Sequence, residues 1–483
     1  MTQTTNRRST SNMIVGYFRD FGVLRETGKE YWGIQIINFL DCTFYFAMLT
    51  IATLFLSTDL KMSDEDAGYA VAVFTSATTL LLTVSGALTD WLGIRKGMRV
   101  SMIAALVLRV ALLYVGFTPS LPNRGLIASA LLLLMAPFMA GIQTIFQAAC
   151  QRFTTKHSRS AGFNLWYLFM NIGAAAGGYS IDLVRLRFKV GNVHIFTLGV
   201  ITAVLCIICN EFMIRREEQL RGPDEEPETK EVRAEKKSPL KILIDVVRQP
   251  AFLRLIVLIA LVLGVRAVYT YLYILMPKYW ERTIGPEAQI GVLNMINPIG
   301  IVIGLILFIP LANRFRVFDL LVYGSMISAI SLFPMAVPWR LYSSDISQSH
   351  YYMAILCMIL LTIGEVLWSP KLYEYTAAIA PEGQEGTYLG FSMIPWFLAK
   401  TLVSAFSGHM LTHWSPEKVV VNEVAVPLQQ AMIEGQVPYW HSPAAMWLIL
   451  GLYALAGCIF AALLQGWLTQ GARWKKETAA QAH

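Results

Sequence analysis

Four ionisable residues, Asp41, Arg266, Glu365 and Lys400, stand inside runs of apolar residues long enough to cross a lipid bilayer. A charge in hydrocarbon costs several kcal/mol, about 3 kcal/mol even on lenient scales, unless it is paired, protonated or turned toward water. Groups kept at that cost are suited to carrying a proton, holding a charged solute, or making and breaking an ion pair. The strongest case is the stretch IGEVLWSPKLYEYTAAIAPEGQEGT, from Ile363 to Thr387, inside an apolar run that opens near Tyr352. Trp368 follows Glu365 by one turn and shares its face. Pro370 can kink the helix, and Lys371 and Glu374 mark its approach to the surface.

Further polar residues recur at helical spacing. Asn38, Asp41 and Tyr45 follow i, i+3, i+7, as do Arg266, Tyr269 and Tyr273. Gln143, Gln147 and Gln151 follow i, i+4, i+8, and Trp396, Lys400, Ser404 and Ser407 form another stripe. A single Gln or Tyr on such a helix often only hydrogen-bonds a neighbouring helix. The charges need a partner. Glu365, walled by apolar groups that penalise its charged form, is expected to carry a proton and to attract Lys400. Arg109, buried by position, reads as a structural partner.

Composition sets the class. The 483 residues are 55% hydrophobic and only 15% charged, with mean hydropathy +0.51, where soluble chains carry about 25% charged residues. The net charge of +7 sits in short loops between apolar segments, which argues against nucleic acid as a partner. The six cysteines lie in or near apolar runs, and Cys206-x-x-Cys209 has no second pair or neighbouring His, so they read as small fillers. No Gly-x-x-x-x-Gly-Lys-Ser/Thr loop, paired metal motif or signal peptide is visible. The reading is therefore not an enzyme, with no metal and no cofactor.

The positioning elements are about twelve apolar spans. They lie near 31–56, 67–91, 97–117, 124–150, 161–183 and 193–214, then 251–276, 287–311, 317–338, 351–373, 388–412 and 444–468. The expected organisation is all-α and membrane-embedded. An N-terminal segment (1–30) leads into a six-helix bundle (31–214), a charged linker (215–250) with a surface helix at Pro239–Val247, a second bundle (251–469) and a tail (470–483). Lys and Arg concentrate in the loops facing the termini, which places both termini in the cytoplasm of a cell-membrane protein. The 413–443 loop lies outside and carries no assigned role.

The loop between the second and third spans reads Gly86-Ala-Leu-Thr-Asp90-Trp-Leu-Gly93-Ile-Arg95-Lys96. Gly86 and Gly93 permit a tight turn and close helix approach, and Asp90 can accept from Arg95 or from a helix N-terminus, a contact suited to gating. This loop resembles the signature loop of the major facilitator superfamily. Its second-half counterpart, Ile309 to Arg316 with Arg314, resembles a degraded copy in which Asn313 stands in place of the acid. The resemblance implies twelve transmembrane helices in two six-helix bundles that rock about a central cavity lined by spans one, four, seven and ten. In the fold it implies, the first and seventh spans meet near an outer gate, so Asp41 and Arg266 are expected to form an ion pair there.

A narrower resemblance is to the proton-dependent oligopeptide transporters. Gly364-Glu365, Ser369-Pro370, Ala380-Pro381 and Gly386-Thr387 are similar to that family's tenth helix, and Phe163 through Asn171, Gly173 and Ala174 to its fifth. The family's first-helix Glu-x-x-Glu-Arg is not kept: the frame reads Asn38-Phe-Leu-Asp41-Cys42, and Gln143 stands near the family's fourth-helix Lys. Those lost groups serve proton coupling and the peptide carboxylate in the family. The expectation is a monomeric, proton-coupled symporter of a small charged or zwitterionic solute. Glu365 and Asp41 would couple protons, and Asn38, Tyr45, Gln143, Gln147, Asn171, Arg266, Tyr269, Tyr273, Trp368, Trp396 and Lys400 would line the binding site. The alternatives are a proton-antiporting exporter of an amphipathic compound and a receptor that has lost transport.

Overall fold

The computed structural model describes residues 21–155, 158–215, 248–312, 315–381, 388, 391–392, 394–421 and 423–472. Twelve long helices run through them. We number them α1 (Lys29–Leu54), α2 (Asp64–Leu92), α3 (Ile94–Phe117), α4 (Arg124–Arg152), α5 (Arg159–Asp182) and α6 (Ile195–Met213) in the first half. The second half has α7 (Pro250–Ile274), α8 (Ile290–Ala312), α9 (Val317–Ile330), α10 (Ile346–Ile379), α11 (Ile394–Trp414) and α12 (Pro443–Leu463). Among the described residues nine of them are long and apolar enough to cross a bilayer, and α2, α5 and α11 are the other three.

Those three helices lie where the halves meet. α2 packs along α11 and α5 along α8, with a smaller contact between α1 and α7. Helices that face another helix instead of lipid gain from small residues that let backbones approach, and α2, α5 and α11 are rich in Gly, Ala, Ser and Thr. Two glycine contacts show how close that approach is. A Cβ on Gly291 of α8 would lie 1.9 Å from the Gly178 carbonyl oxygen of α5, and one on Gly408 of α11 would lie 2.4 Å from the Glu65 Cα of α2.

Local signals place the ends. Ser63 caps α2 by accepting from the Asp66 amide at 3.0 Å, with three acids in the first turn. α2 continues through Gly86 and Asp90, and the turn into α3 falls on Gly93, at φ 76°. This corrects the expectation of a loop that opens at Gly86. Asp345 caps α10 in the same manner, at 2.6 Å from the Gln348 amide, and α10 runs unbroken through Pro370 to Ile379. It is longer at both ends than its apolar run.

The loop between α11 and α12 holds the only described strands, β1 (Lys418–Val421) and β2 (Val424–Pro427), paired antiparallel, so the fold is helical with one small hairpin. Gln429 beyond the hairpin donates to the Thr283 and Ile284 carbonyls and to Ser347. The loop thereby sits on the short helix Met276–Ile284 that extends α7. The linker with the expected surface helix at Pro239–Val247 lies outside the described residues.

Candidate functional site

The second bundle gathers a polar cluster near the middle of α7 and α10. Glu365 is 8% exposed and accepts from Asn297 of α8 at 3.0 Å; the same amide reaches the Thr362 hydroxyl at 3.2 Å. Gly364 sets this register, because its missing side chain lets α10 lie against α9: a Cβ there would fall 2.2 Å from the Ser328 hydroxyl oxygen. Trp368, fully buried one turn on, donates its indole N–H to that same hydroxyl at 3.1 Å, which fixes the ring.

That ring forms one wall around Arg266. The guanidinium of Arg266 lies between the Trp368 and Trp396 rings, 4.3 Å from each centroid. Tyr269, one turn along α7, sets its ring edge-on to both indoles at 6.2 Å. Arg266 is 1% exposed, and its Nε and Nη2 have no hydrogen-bond partner. Tyr373 of α10 hydrogen-bonds it, and Glu365 and Tyr167 of α5 act on it electrostatically, with no ion pair formed among the described residues. A desolvated cation between two indole faces gains about 2 kcal/mol, but faces satisfy no N–H, because those hydrogens point outward in the ring plane.

Asp41 lies elsewhere. It is fully buried in the first bundle and bonds Arg109 of α3 at 3.0 Å, so the expected Asp41–Arg266 ion pair is not formed. Arg109 also donates to the Gly199 carbonyl of α6 at 2.9 Å and stacks on Phe44 at 4.0 Å, which ties α1, α3 and α6 together. One residue's rotation along α1 separates the stripe. Asn38, fully buried, turns toward α5 and spends its amide on the Trp166 carbonyl at 3.0 Å, while Tyr45 is half-buried beside Phe46, whose ring meets Tyr273 of α7 at 5.6 Å.

The remaining expected site residues divide similarly. Gln143 is half-buried and Gln147 exposed on α4, while Asn171 of α5 is buried with its amide on the Tyr167 carbonyl at 2.9 Å. Lys400 is half-buried, its ammonium 5.8 Å from the Trp396 ring centroid. It forms no ion pair with Glu365 among the described residues, so that expected pairing is also corrected. Ser404 and Ser407 turn to the α2 interface, against Gly68.

The gating residues fare unevenly. Arg95 bonds Glu211 of α6 at 2.8 Å, joined by Arg99 at 2.6 Å, so the described contact of Arg95 ties α3 to α6 within one bundle. The Gly86 and Asp90 side chains and Arg314 lie outside the description. The described cross-bundle ion pairs cluster instead at the end opposite the termini. Asp64 of α2 pairs with Lys278 and Arg282 of the short helix, and Arg185 pairs with Glu281 at 2.9 Å. Asp182 at the end of α5 accepts from the Gly291 and Val292 amides at the start of α8, at 2.9 and 2.7 Å.

Sequence reasoning missed these latches, because charges near helix ends read as ordinary surface. It also missed Asn297, Tyr373, Tyr167 and Asn294, which is 4% exposed with neither amide atom bonded. Asn294 and Asn297, i and i+3 in an otherwise apolar span, carried the available signal.

Two helical bundles are latched at one end, and the second holds a charged cluster walled by aromatic rings. The sequence matches the Major Facilitator Superfamily over residues 34–404, and the chain belongs to that family. No curated relative matches. Among solved structures, a peptide transporter POT in complex with sulfate is 14% identical, with TM-score 0.69, over 92% of this chain and 96% of that one. The POT family transporter PepTSo is 16% identical, with TM-score 0.67, over 92% and 99%. A D-xylose-proton symporter is 14% identical, with TM-score 0.65, over 89% and 95%. At these identities the likeness is of fold alone; it is membership of the family that makes this chain a multi-pass secondary transporter of small molecules.

Proposed function

We propose that this transporter couples the movement of a small charged or zwitterionic organic solute to protons, with Glu365 carrying the proton. One observation carries the reading. Glu365 is buried in the second bundle with a neutral amide donor, Asn297, and Arg266 acts on it without an ion pair. An amide can hold the carboxyl group in either state, donating to the carboxylate and accepting from the acid. Protonation then changes the charge felt at Arg266 without dismantling the cluster, and a state with different affinity for solute is favoured. Asp41, closed off by Arg109, holds the first bundle together and leaves the coupling to Glu365.

The Lys and Arg pattern supports a cytoplasmic position for both termini. The latched end of α2, α5, α8 and the short helix then faces outward, and the conformation is one closed to the outside. With an inward proton gradient the reading is import. Glu365→Gln in proteoliposomes is expected to abolish accumulation driven by a pH gradient and to spare counterflow exchange. Accumulation by that variant on a pH gradient would remove Glu365 from the coupling step.

A further inference from the structure

We infer that Arg266 is a receptor for a carboxylate and that the solute is a monoanionic carboxylate on an apolar, planar body. The inference rests on the transport reading only in that the ligand is taken to be the transported solute.

Arg266 is walled by aromatic rings and has one edge open. The Trp368 and Trp396 ring centroids each lie 4.3 Å from the guanidinium carbon, and Tyr373 hydrogen-bonds the group. Its Nε and Nη2, whose hydrogens form one edge of the plane, are buried with no partner. Two parallel N–H groups at that spacing fit the two oxygens of a carboxylate. A buried cation with an unbonded edge is destabilising as it stands, and an anion supplied from outside would relieve it. The other fully buried arginine differs: Arg109 has a carboxylate at 3.0 Å on Nη2 and a carbonyl at 2.9 Å on Nη1, which leaves only its Nε unbonded.

The neighbours select the anion. The titratable and charged groups around the cluster are Glu365 and Tyr373 from α10, Tyr167 from α5, Tyr269 from α7 itself and Lys400 from α11. The adjoining helices otherwise offer neutral groups, Asn294 and Asn297 from α8 and Ser328 from α9. A phosphate monoester carries close to two charges at neutral pH and would face Glu365, whereas a carboxylate carries one. The walls of Trp368, Trp396 and Tyr269 suit an apolar, flat body behind the headgroup. Trp368 is fully buried and pinned to Ser328, while Trp396 is half-buried, so Trp396 is the ring that moves aside when the anion enters.

The test is a thermal-shift series on purified full-length protein in detergent, where no proton gradient exists. The probes are acetate, phenylacetate and indole-3-acetate at millimolar concentration, each against its amide, with phenyl phosphate as a further arm. Ligand that binds the folded state raises the midpoint by mass action. The expected result is a shift that grows from acetate to indole-3-acetate, is at least several-fold larger for acids than for amides, and exceeds that of phenyl phosphate. Arg266→Gln should lose the acid preference, and Arg266→Lys, which keeps the charge without the fork, should keep only part of it. Equal shifts for acid and amide, no shift with any acid, or an acid preference surviving in Arg266→Gln overturns the inference, and a larger shift with phenyl phosphate overturns the choice of anion. Glu365→Gln should keep the acid preference. Failure of the coupling assignment would therefore show in liposomes and leave this result standing, and the reverse also holds.

Discussion

Each bundle buries one arginine completely, and the two are provided for in opposite ways. Arg109 in the first bundle has a carboxylate partner, a backbone carbonyl and an aromatic face from three helices. Arg266 in the second has two aromatic faces and an unbonded edge. Burial alone therefore does not separate a structural charge from a working one. What separates them is the bonded anion: Arg109 has a carboxylate and leaves only its Nε unbonded, whereas Arg266 has no bonded carboxylate among the described residues and leaves both Nε and Nη2 unbonded. The first bundle pairs its buried charge with a carboxylate, and the second leaves the Nε–Nη2 edge of its buried charge unbonded.

The comparison can be broken most directly at Arg109. Arg109→Leu leaves Asp41 buried and unpaired, a cost of about 3–5 kcal/mol, and is expected to abolish recovery of monodisperse protein on size exclusion. Asp41→Asn with Arg109→Met should recover most of it, since removing both charges is often neutral. Normal recovery of the single variant would show that the pair is dispensable. Arg266→Gln should behave in the opposite way, with a melting midpoint at or above wild type and transport at background. A loss of stability comparable to Arg109→Leu would erase the distinction.

Smaller effects sharpen it. Asn297→Ala removes the donor that holds Glu365, a bond to a chargeable group worth about 1.5–3 kcal/mol. Proton-driven uptake should fall by roughly tenfold or more while the protein stays folded; unchanged uptake would free Glu365 from that anchor. Asp64→Asn weakens one of the cross-bundle latches. A partly exposed ion pair is worth about 1 kcal/mol, so the expected change is a several-fold rise in the population open at the latched end. Distances between spin labels placed at Lys61 and Glu287 would report it, and an unaltered distribution would show that the latch does not bias the equilibrium.

The bundle architecture was legible in the sequence because apolar length depends on local composition. The cluster was partly legible. Glu365, Trp368, Arg266, Tyr269 and Trp396 were read separately from cost and spacing, and the structure brings them together. Asp41 was misplaced because a spacing of i, i+3 defines a broad face: Asn38 and Asp41 share it on paper, yet one turns toward α5 and the other toward α3 and α6. Which helix stands opposite a residue is set by tertiary packing, and no window along the chain contains it. The latches were hidden for the same reason, since Asp64 and Lys278 are distant in sequence and each looks like surface alone.

The glycine contacts between the halves have a mechanical consequence. Exchanging the two halves carries α2 onto α8 and α5 onto α11, so the α2–α11 contact at Gly408 maps onto the α8–α5 contact at Gly291. They are one joint built twice, on opposite sides of the molecule. A body seated on two equal joints resists sliding and twisting but can swing about the line between them. At Gly408 and Gly291 backbone meets backbone, so little has to repack at those two points as it swings.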